Sequence, residues 1–302
     1  MSIPKYPDFA AITMDMRPEI HGLLSGLKIG ISEFTFANLY LFRATYNYQV
    51  SQLYNHSLVI AGQKDGKKFF MLPFGIPVKE LLDSLFACHD YMKCLAETYS
   101  NQMRMQLEIN DYCTVEDRDG FDYLYLRKDL ADLAGRKYHK KRNLINAFIN
   151  NYTYEEKPLT TDLKKHAFQV LEEWKQSKDG QDDYPAAQEG LEKMEELELC
   201  GYMYYANNNP AAYILGEEIG KSRSFAVHFE KAIDSYKGIY QFINQAFASI
   251  LPHHYLYINR EQDLGEPGLR QAKMSYRPSG FVKKYRVYKR TKCPCFTDTT
   301  FS

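Results

Sequence analysis

One stretch of this chain is written twice. Residues 122–130 read DYLYLRKDL, and residues 254–264 read HYLYINREQDL, two residues longer at the elbow. Each copy is followed by a basic helical pattern and then by a strand pattern rich in tyrosine, NNYTYEEK in the first half and VKKYRVYKR in the second. Upstream, FFMLPFG and FAVHFEK each lead into a helical segment. Both halves therefore read hairpin, strand, helix, strand, helix, strand. A two-copy repeat of about 150 residues is much longer than a solenoid unit and predicts two duplicated domains. The boundary falls at 157/158, giving domains 1–157 and 158–302.

Three strands leading into a helix, then strand-helix-strand, predict mixed sheets with helices packed on them, an α/β (α+β) fold. Aromatic residues make up 15% of the chain, with 25 Tyr and 18 Phe, which suits pleated sheet faces. Other expectations come from what is missing. The 38 basic and 38 acidic residues cancel, so nothing global draws the chain to nucleic acid or membrane. Apolar runs fall short of the ~20 residues of a spanning helix, and the first residues lack a signal-peptide pattern. A cytoplasmic protein with no transmembrane segment is expected. The six cysteines form no CxxC pair and no His stands at zinc-finger spacing, so no metal site is expected. Cys293 and Cys295 read as free thiols on a loose terminus, consistent with a reducing compartment. There is no GxSxG elbow, P-loop or dinucleotide fingerprint.

Chemistry concentrates in a few places. In SFAVHFE (224–230), strand alternation puts Phe225, Val227 and Phe229 on one face and Ala226, His228 and Glu230 on the other. Glu230 or His228 is a candidate general base. The plainer alternative is an ion pair of Glu230 with Lys231 or Lys237 and a sheet histidine with its hydrogen bonds filled. The segment DSYKG (234–238) opens a helix, where free N–H groups, Lys237 and the bare backbone of Gly238 suit an anion; an ordinary capped helix fits equally.

The densest stretch is 254–285. Asn259, Glu261 and Asp263 leave a strand, and Arg270 and Lys273 follow one helical turn apart. These two cations suit a donor's phosphates or an acidic substrate, or an ion-pair network with Glu261 and Asp263. Tyr276 is placed to donate to a leaving group or to cap the core. The run Arg136, Lys137, Tyr138, His139, Lys140, Lys141, Arg142 is the sharpest charge feature, fitting RNA phosphates or a solvated face.

Three segments, FTFANLYLFR (34–43), GRKYHKKRN (135–143) and NREQDLGEPGLRQAKMSYRP (259–278), resemble a bacterial family grouped with the C-terminal catalytic domain of phosphatidylglycerol lysyltransferases. The resemblance covers nearly the whole chain. It implies tandem GNAT-like (acyl-CoA N-acyltransferase-like) domains, as in the Fem aminoacyltransferases, with the better site in the second. In such a domain the central strand and its neighbour splay apart and the donor lies in the gap. The implied activity moves an acyl or aminoacyl group from acyl-CoA or aminoacyl-tRNA to an amine acceptor, a small molecule or a lipid. The implied roles are Glu230, His228 and Tyr276 in catalysis, Lys237, Gly238, Arg270 and Lys273 on the donor, and Asn259, Glu261 and Asp263 in the acceptor cleft. The lysyltransferases are anchored by a separate membrane module that this chain is expected to lack. The usual Gly-rich acetyltransferase loop is not evident here, which weakens the coenzyme A reading. The rival reading is a non-catalytic GNAT-like binding protein that uses the 136–142 helix for RNA or a protein partner.

Overall fold

The computed structural model describes residues 2–54, 56–177 and 183–297. The polar loop expected at 177–183 lies mostly outside them. In chain order come β1 (Ala10–Ala11), α1 (Arg17–Leu24), α2 (Phe36–Leu41), α3 (Arg43–Tyr46), β2 (Gln49–Gln52), β3 (Leu58–Lys64), β4 (Lys67–Met71), α4 (Lys79–Cys88), β5 (Tyr91–Ala96), α5 (Glu97–Ile109) and β6 (Tyr112–Glu116). They are followed by β7 (Asp122–Leu126), α6 (Arg127–Asp132), α7 (His139–Asn151), β8 (Tyr154–Pro158), α8 (Lys164–Gln176), α9 (Tyr184–Glu192), β9 (Cys200–Ala206), β10 (Asn209–Ile219) and β11 (Ser224–Ala232). The last elements are α10 (Ile239–Ile250), β12 (Tyr257–Asn259), α11 (Pro267–Met274), β13 (Gly280–Val282), β14 (Lys284–Lys289) and α12 (Pro294–Thr297).

Two mixed sheets result, ordered β1-β2-β3-β4-β5-β14-β6 and β13-β7-β12-β11-β10-β9-β8. The expected α/β architecture is present. Among the described residues β4 pairs in parallel with β5 and β11 with β12, whereas β1–β2, β2–β3, β3–β4, β5–β14, β14–β6, β7–β12, β11–β10, β10–β9 and β9–β8 are antiparallel. The duplication is visible in this shared layout, but the copies trade strands. Strand β14, read as the end of the second half, pairs with β5 and β6 of the first sheet. Strand β7, read as part of the first half, pairs with β12. The compact units are accordingly Met1–Asp122 with Gln262–Pro267 and Phe281–Ser302, and Tyr123–Glu261 with Gly268–Gly280. Residues 123–157, assigned above to the first domain, lie in the second unit because β7 and β8 pair within the second sheet.

Local chemistry explains most elements. Thr35 caps α2 by accepting from the Asn38 N–H at 3.0 Å, and Asp65 and Gly66, both at positive φ, close the β3–β4 hairpin. The apolar stretch 78–99 breaks after Cys88, where His89 turns extended and Tyr91–Ala96 enters the sheet beside β4. Residues 105–109 form the end of α5. Only Leu107 of that stretch is buried, while Met105 and Ile109, four apart, face solvent.

In the first unit Phe70, Leu85, Phe86, Met92 and Val287 pack in one buried core. Beside it lies a fully buried ionic cluster. The Lys284 ammonium binds Asp122 at 2.6 Å and also Glu33, while Ser32 and Gln262 donate to Asp122 at 2.9 and 2.8 Å. Lys93 approaches Glu33 at 3.4 Å, and the Cys94 thiol donates to it. Two cations thus balance two anions drawn from separate chain segments. Burial pushes the Glu33 carboxyl up, but Lys284 and Lys93 outweigh it and hold it at about 2. Burial raises Asp122. Removing one partner of such a cluster leaves a bare buried charge, so Lys284→Met is expected to cost about 3–5 kcal/mol in denaturant unfolding. A loss below about 1 kcal/mol would mean the cluster is dispensable.

The free-thiol expectation fails at Cys293. Cys113 on β6 and Cys293 form a disulfide across 180 residues of sequence, with Cα atoms 6.3 Å apart, while Cys88, Cys94, Cys200 and Cys295 remain free. Strand β14 runs antiparallel to β6 and delivers the segment after it to Cys113, a proximity that sequence spacing does not reveal. The step from free thiols to a reducing compartment therefore loses its basis. Thiol titration of the unreduced, denatured chain should count four; a count of six would contradict the pairing.

Candidate active site

The site is built in the second unit where β11 and β12 part. They pair in parallel over Ser224↔Tyr257, Phe225↔Ile258 and Ala226↔Asn259, after which β12 ends and β11 continues to Ala232. On its other edge β11 matches β10 with a register break. Leu215 faces Phe229 and Gly216 faces Val227, leaving His228 as a bulge. One extra residue reverses the alternation beyond it. Phe225 packs against Phe247 of α10, whereas Phe229 lies against Gly190 of α9. Glu230 consequently faces α10, and Lys231 turns to the other side, to Asp183 and the face of Trp174. The simple pattern of 225, 227 and 229 on one face does not hold, because the bulge intervenes.

The bulge aims His228 inward. Its Nε2 lies 2.9 Å from Glu217 and its Nδ1 2.8 Å from Glu261, and its side chain is 1% exposed. Burial alone would lower its pKa, but Glu261 and Glu217 outweigh burial and raise it to about 10. The ring is an imidazolium donating both protons, with no lone pair for general-base work. Glu261 reaches it from a left-handed residue (φ 54°) just past β12, where the buried Asn259 side chain accepts from the Glu261 N–H at 2.8 Å.

Glu230 pairs with neither Lys231 nor Lys237. Arg260 Nη2 donates to both its oxygens at 3.0 Å, and Asn244 of α10 donates at 2.9 Å. The other edge of this guanidinium is different. Nη1 is buried with no hydrogen-bond partner, and so is the hydroxyl of Tyr276, which lies near Arg260 and Gln241 without bonding geometry to either. The Lys141 ammonium sits 3.8 Å from the centre of the Tyr276 ring. Burial, and then Arg260, hold Lys141 down at about 8.

The remaining candidates disperse. Lys273 is buried, and its ammonium donates to the Arg260 carbonyl at 2.7 Å, while Tyr125 on β7 donates to the Lys273 carbonyl. It acts as a strut under the elbow. Arg270, one turn earlier, is half-buried. Asp263 belongs to the first unit, where it binds Arg118 at 3.3 Å and accepts from the Gly265 N–H. Gly238 has φ 88° at the start of α10, and a Cβ there would lie 2.1 Å from the Leu144 carbonyl oxygen. The beginning of α10 is thus packed against α7, with Lys237 exposed beside it.

The basic run also divides. Arg142 donates to the Gly135 and Leu133 carbonyls, filling acceptors left by the break between α6 and α7. Lys137 pairs with Asp129, and Lys141 points inward. Arg136 and Lys140 are exposed. Sequence reasoning placed Lys141 with the nucleic-acid candidates and gave Arg260 no role of its own. Helical position was the available signal for Lys141, since 138, 141, 145 and 148 share a face on which Tyr138, Ile145 and Phe148 are buried.

This layout, two mixed sheets each containing a parallel pair, is the fold that the sequence resemblance implies. The chain belongs to the phosphatidylglycerol lysyltransferase C-terminal family, whose model matches residues 25–288. It is 33% identical to a conserved Bacteroides thetaiotaomicron protein of unknown function, with TM-score 0.81 over 93% of this chain and 99% of that one. The structure of L-PGS from Bacillus licheniformis matches at TM-score 0.61, 13% identity, and 98% and 96% coverage. FemX matches at 0.55, 7% identity, and 94% and 98% coverage. An uncharacterised Mycoplasmoides gallisepticum protein is 25% identical over 175 residues, and the match spans 55% of this chain and about half (55%) of that one. Among the described residues no helix is long and apolar enough to cross a membrane.

The His228 bridge has a pH signature. Its pKa rises from about 6.5 to about 10 on folding, so its stabilisation is complete below pH ~6.5 and is lost as pH climbs toward 10. Stability of the native protein should fall across that window, and the fall should be smaller in His228→Gln. Equal slopes in the two proteins would contradict the bridge.

Proposed function

We propose that this chain is an aminoacyltransferase that moves an aminoacyl group from its ester with tRNA onto an amine acceptor, a small molecule or a lipid. The observation that carries the reading is the start of α7 together with the turn that precedes it. Arg136 in that turn and Lys140 in α7 face solvent, while the adjacent Lys141 faces the Glu230–Arg260–Tyr276 cluster. This segment thus carries phosphate-seeking cations outside and a polar wall within. The packing of α10 against α7 at Gly238 leaves little space for a pyrophosphate there, which favours a tRNA ester over acyl-CoA. Membership of the phosphatidylglycerol lysyltransferase C-terminal family agrees with aminoacyl transfer.

In the reaction the amine nitrogen attacks the ester carbonyl, a C–N bond forms, and the C–O bond to the ribose breaks. The proton lost by nitrogen ends on the ribose oxygen. Glu230, fixed by Arg260 and Asn244 and 12% exposed, accepts the amine's hydrogen bond and relays that proton. His228, Glu261 and Asn259 hold the elbow from which Arg260 extends.

The test is release of labelled aminoacyl groups from tRNA and their appearance on an amine. Glu230→Gln is expected to slow transfer by about 10²–10⁴-fold with tRNA binding unchanged. Arg136→Glu with Lys140→Glu should weaken tRNA binding, more so at low salt. Transfer unaffected by Glu230→Gln would sink this role, and tRNA binding without any ester loss would leave a binding protein. Competition by acyl-CoA, with none by tRNA, would move the donor to coenzyme A.

A further inference from the structure

The cluster around Arg260 is asymmetric in a way that transfer to a plain amine does not require. One edge of the guanidinium is filled by Glu230, and the other offers a buried Nη1 without a partner. The Tyr276 ring, its centre 5.2 Å from the Arg260 Cζ, carries an unpartnered hydroxyl and is 5% exposed, and the Lys141 ammonium lies 3.8 Å from the centre of that ring. The charged groups on the surrounding elements are Glu230 of β11, Arg260 after β12, Lys141 of α7, and Lys273 of α11. The last is already committed to the Arg260 carbonyl. From α10 come only the neutral amides of Gln241 and Asn244, and from β7 the Tyr125 hydroxyl. A carboxylate therefore takes one nitrogen of the Arg260 guanidinium, while its other nitrogen and the nearby Tyr276 hydroxyl are unsatisfied. A buried donor without a partner is costly, and an anionic oxygen placed there satisfies several at once.

We propose that this cluster is a binding site for a free amino acid, with the amino group at Glu230 and the carboxylate held by Arg260 Nη1, the Tyr276 hydroxyl and the Lys141 ammonium. The acceptor class of the transfer reaction is then an amino carboxylic acid. This identification as acceptor rests on the transferase reading above, whereas binding itself does not. A guanidinium committed to Glu230 on one edge spaces the two charged ends of the ligand apart, so the site measures the distance between amine and carboxylate. The depressed pKa of Lys141 agrees, since it marks an ammonium lacking an anion beside Arg260. A bound carboxylate would restore it. An amine with no carboxylate leaves Nη1 and the Tyr276 hydroxyl bare, and a second cation at that end meets Arg260 and Lys141.

The experiment is thermal unfolding of the whole chain, without tRNA, in the presence of glycine, β-alanine, 4-aminobutyrate and each of the protein amino acids. Glycinamide and sodium acetate serve as one-ended controls, with ionic strength held constant. At least one amino acid should raise the melting temperature saturably, by a few degrees, while its amide and acetate do not. The shift should disappear in Tyr276→Phe and Lys141→Met. No stabilisation by any amino acid, or equal stabilisation by the matching amide, would overturn the proposal. Should a variant fail to fold, the comparison of amino acid with amide in the native protein still decides. Amino-acid binding without aminoacyl transfer would overturn the transferase reading alone, and transfer to simple amines without amino-acid binding would overturn this one alone.

Discussion

The second unit depends on one buried cation, the imidazolium of His228 between Glu217 and Glu261. It fixes the bulge in β11 to the neighbouring strand on one side and to the elbow after β12 on the other. A bulge without such an anchor is free to slip, and a one-residue slip exchanges the faces of a strand. Held in place, it turns Glu230 toward α10 and Arg260, and Lys231 toward Asp183 and Trp174. The same histidine that strand alternation pairs with Glu230 as a possible base is what sets where Glu230 points.

Burial explains how the neighbouring charges divide between support and reactivity. Lys273 and Asn259 are enclosed and spend their hydrogen bonds on the elbow backbone. Glu230 is ion-paired yet partly exposed, and Arg260 and Tyr276 keep unused donors. Unused donors in a buried place are the mark of a site awaiting a ligand; satisfied ones are the mark of structure. The first unit illustrates the second case, with Lys284, Glu33 and Asp122 closing on one another.

The element order and the mixed-sheet fold were legible because the duplicated segment and its strand and helix patterns are local. The trade of β7 and β14 between sheets was not, since strand pairing is decided by non-local contacts that two similar strands satisfy equally well. Glu230 and Tyr276 were readable as site residues from strand position and from the 259–278 motif. Arg260 as their partner was hidden by the two-residue insertion in the elbow, where Glu261 turns left-handed. Lys141 was hidden inside a run of cations, because composition treats five neighbouring charges alike while helix geometry sends only one of them inward. The Cys113–Cys293 pair spans the chain and has no sequence signature.

The most direct measurement is a crystal structure with a stable 3′-amide analogue of an aminoacyl-adenosine, which mimics the end of the donor. The account predicts the aminoacyl carbonyl within hydrogen-bonding reach of the Glu230–Arg260–Tyr276 cluster, with the adenosine toward the exposed end of α7. An analogue whose aminoacyl carbonyl lies away from Glu230 would contradict it.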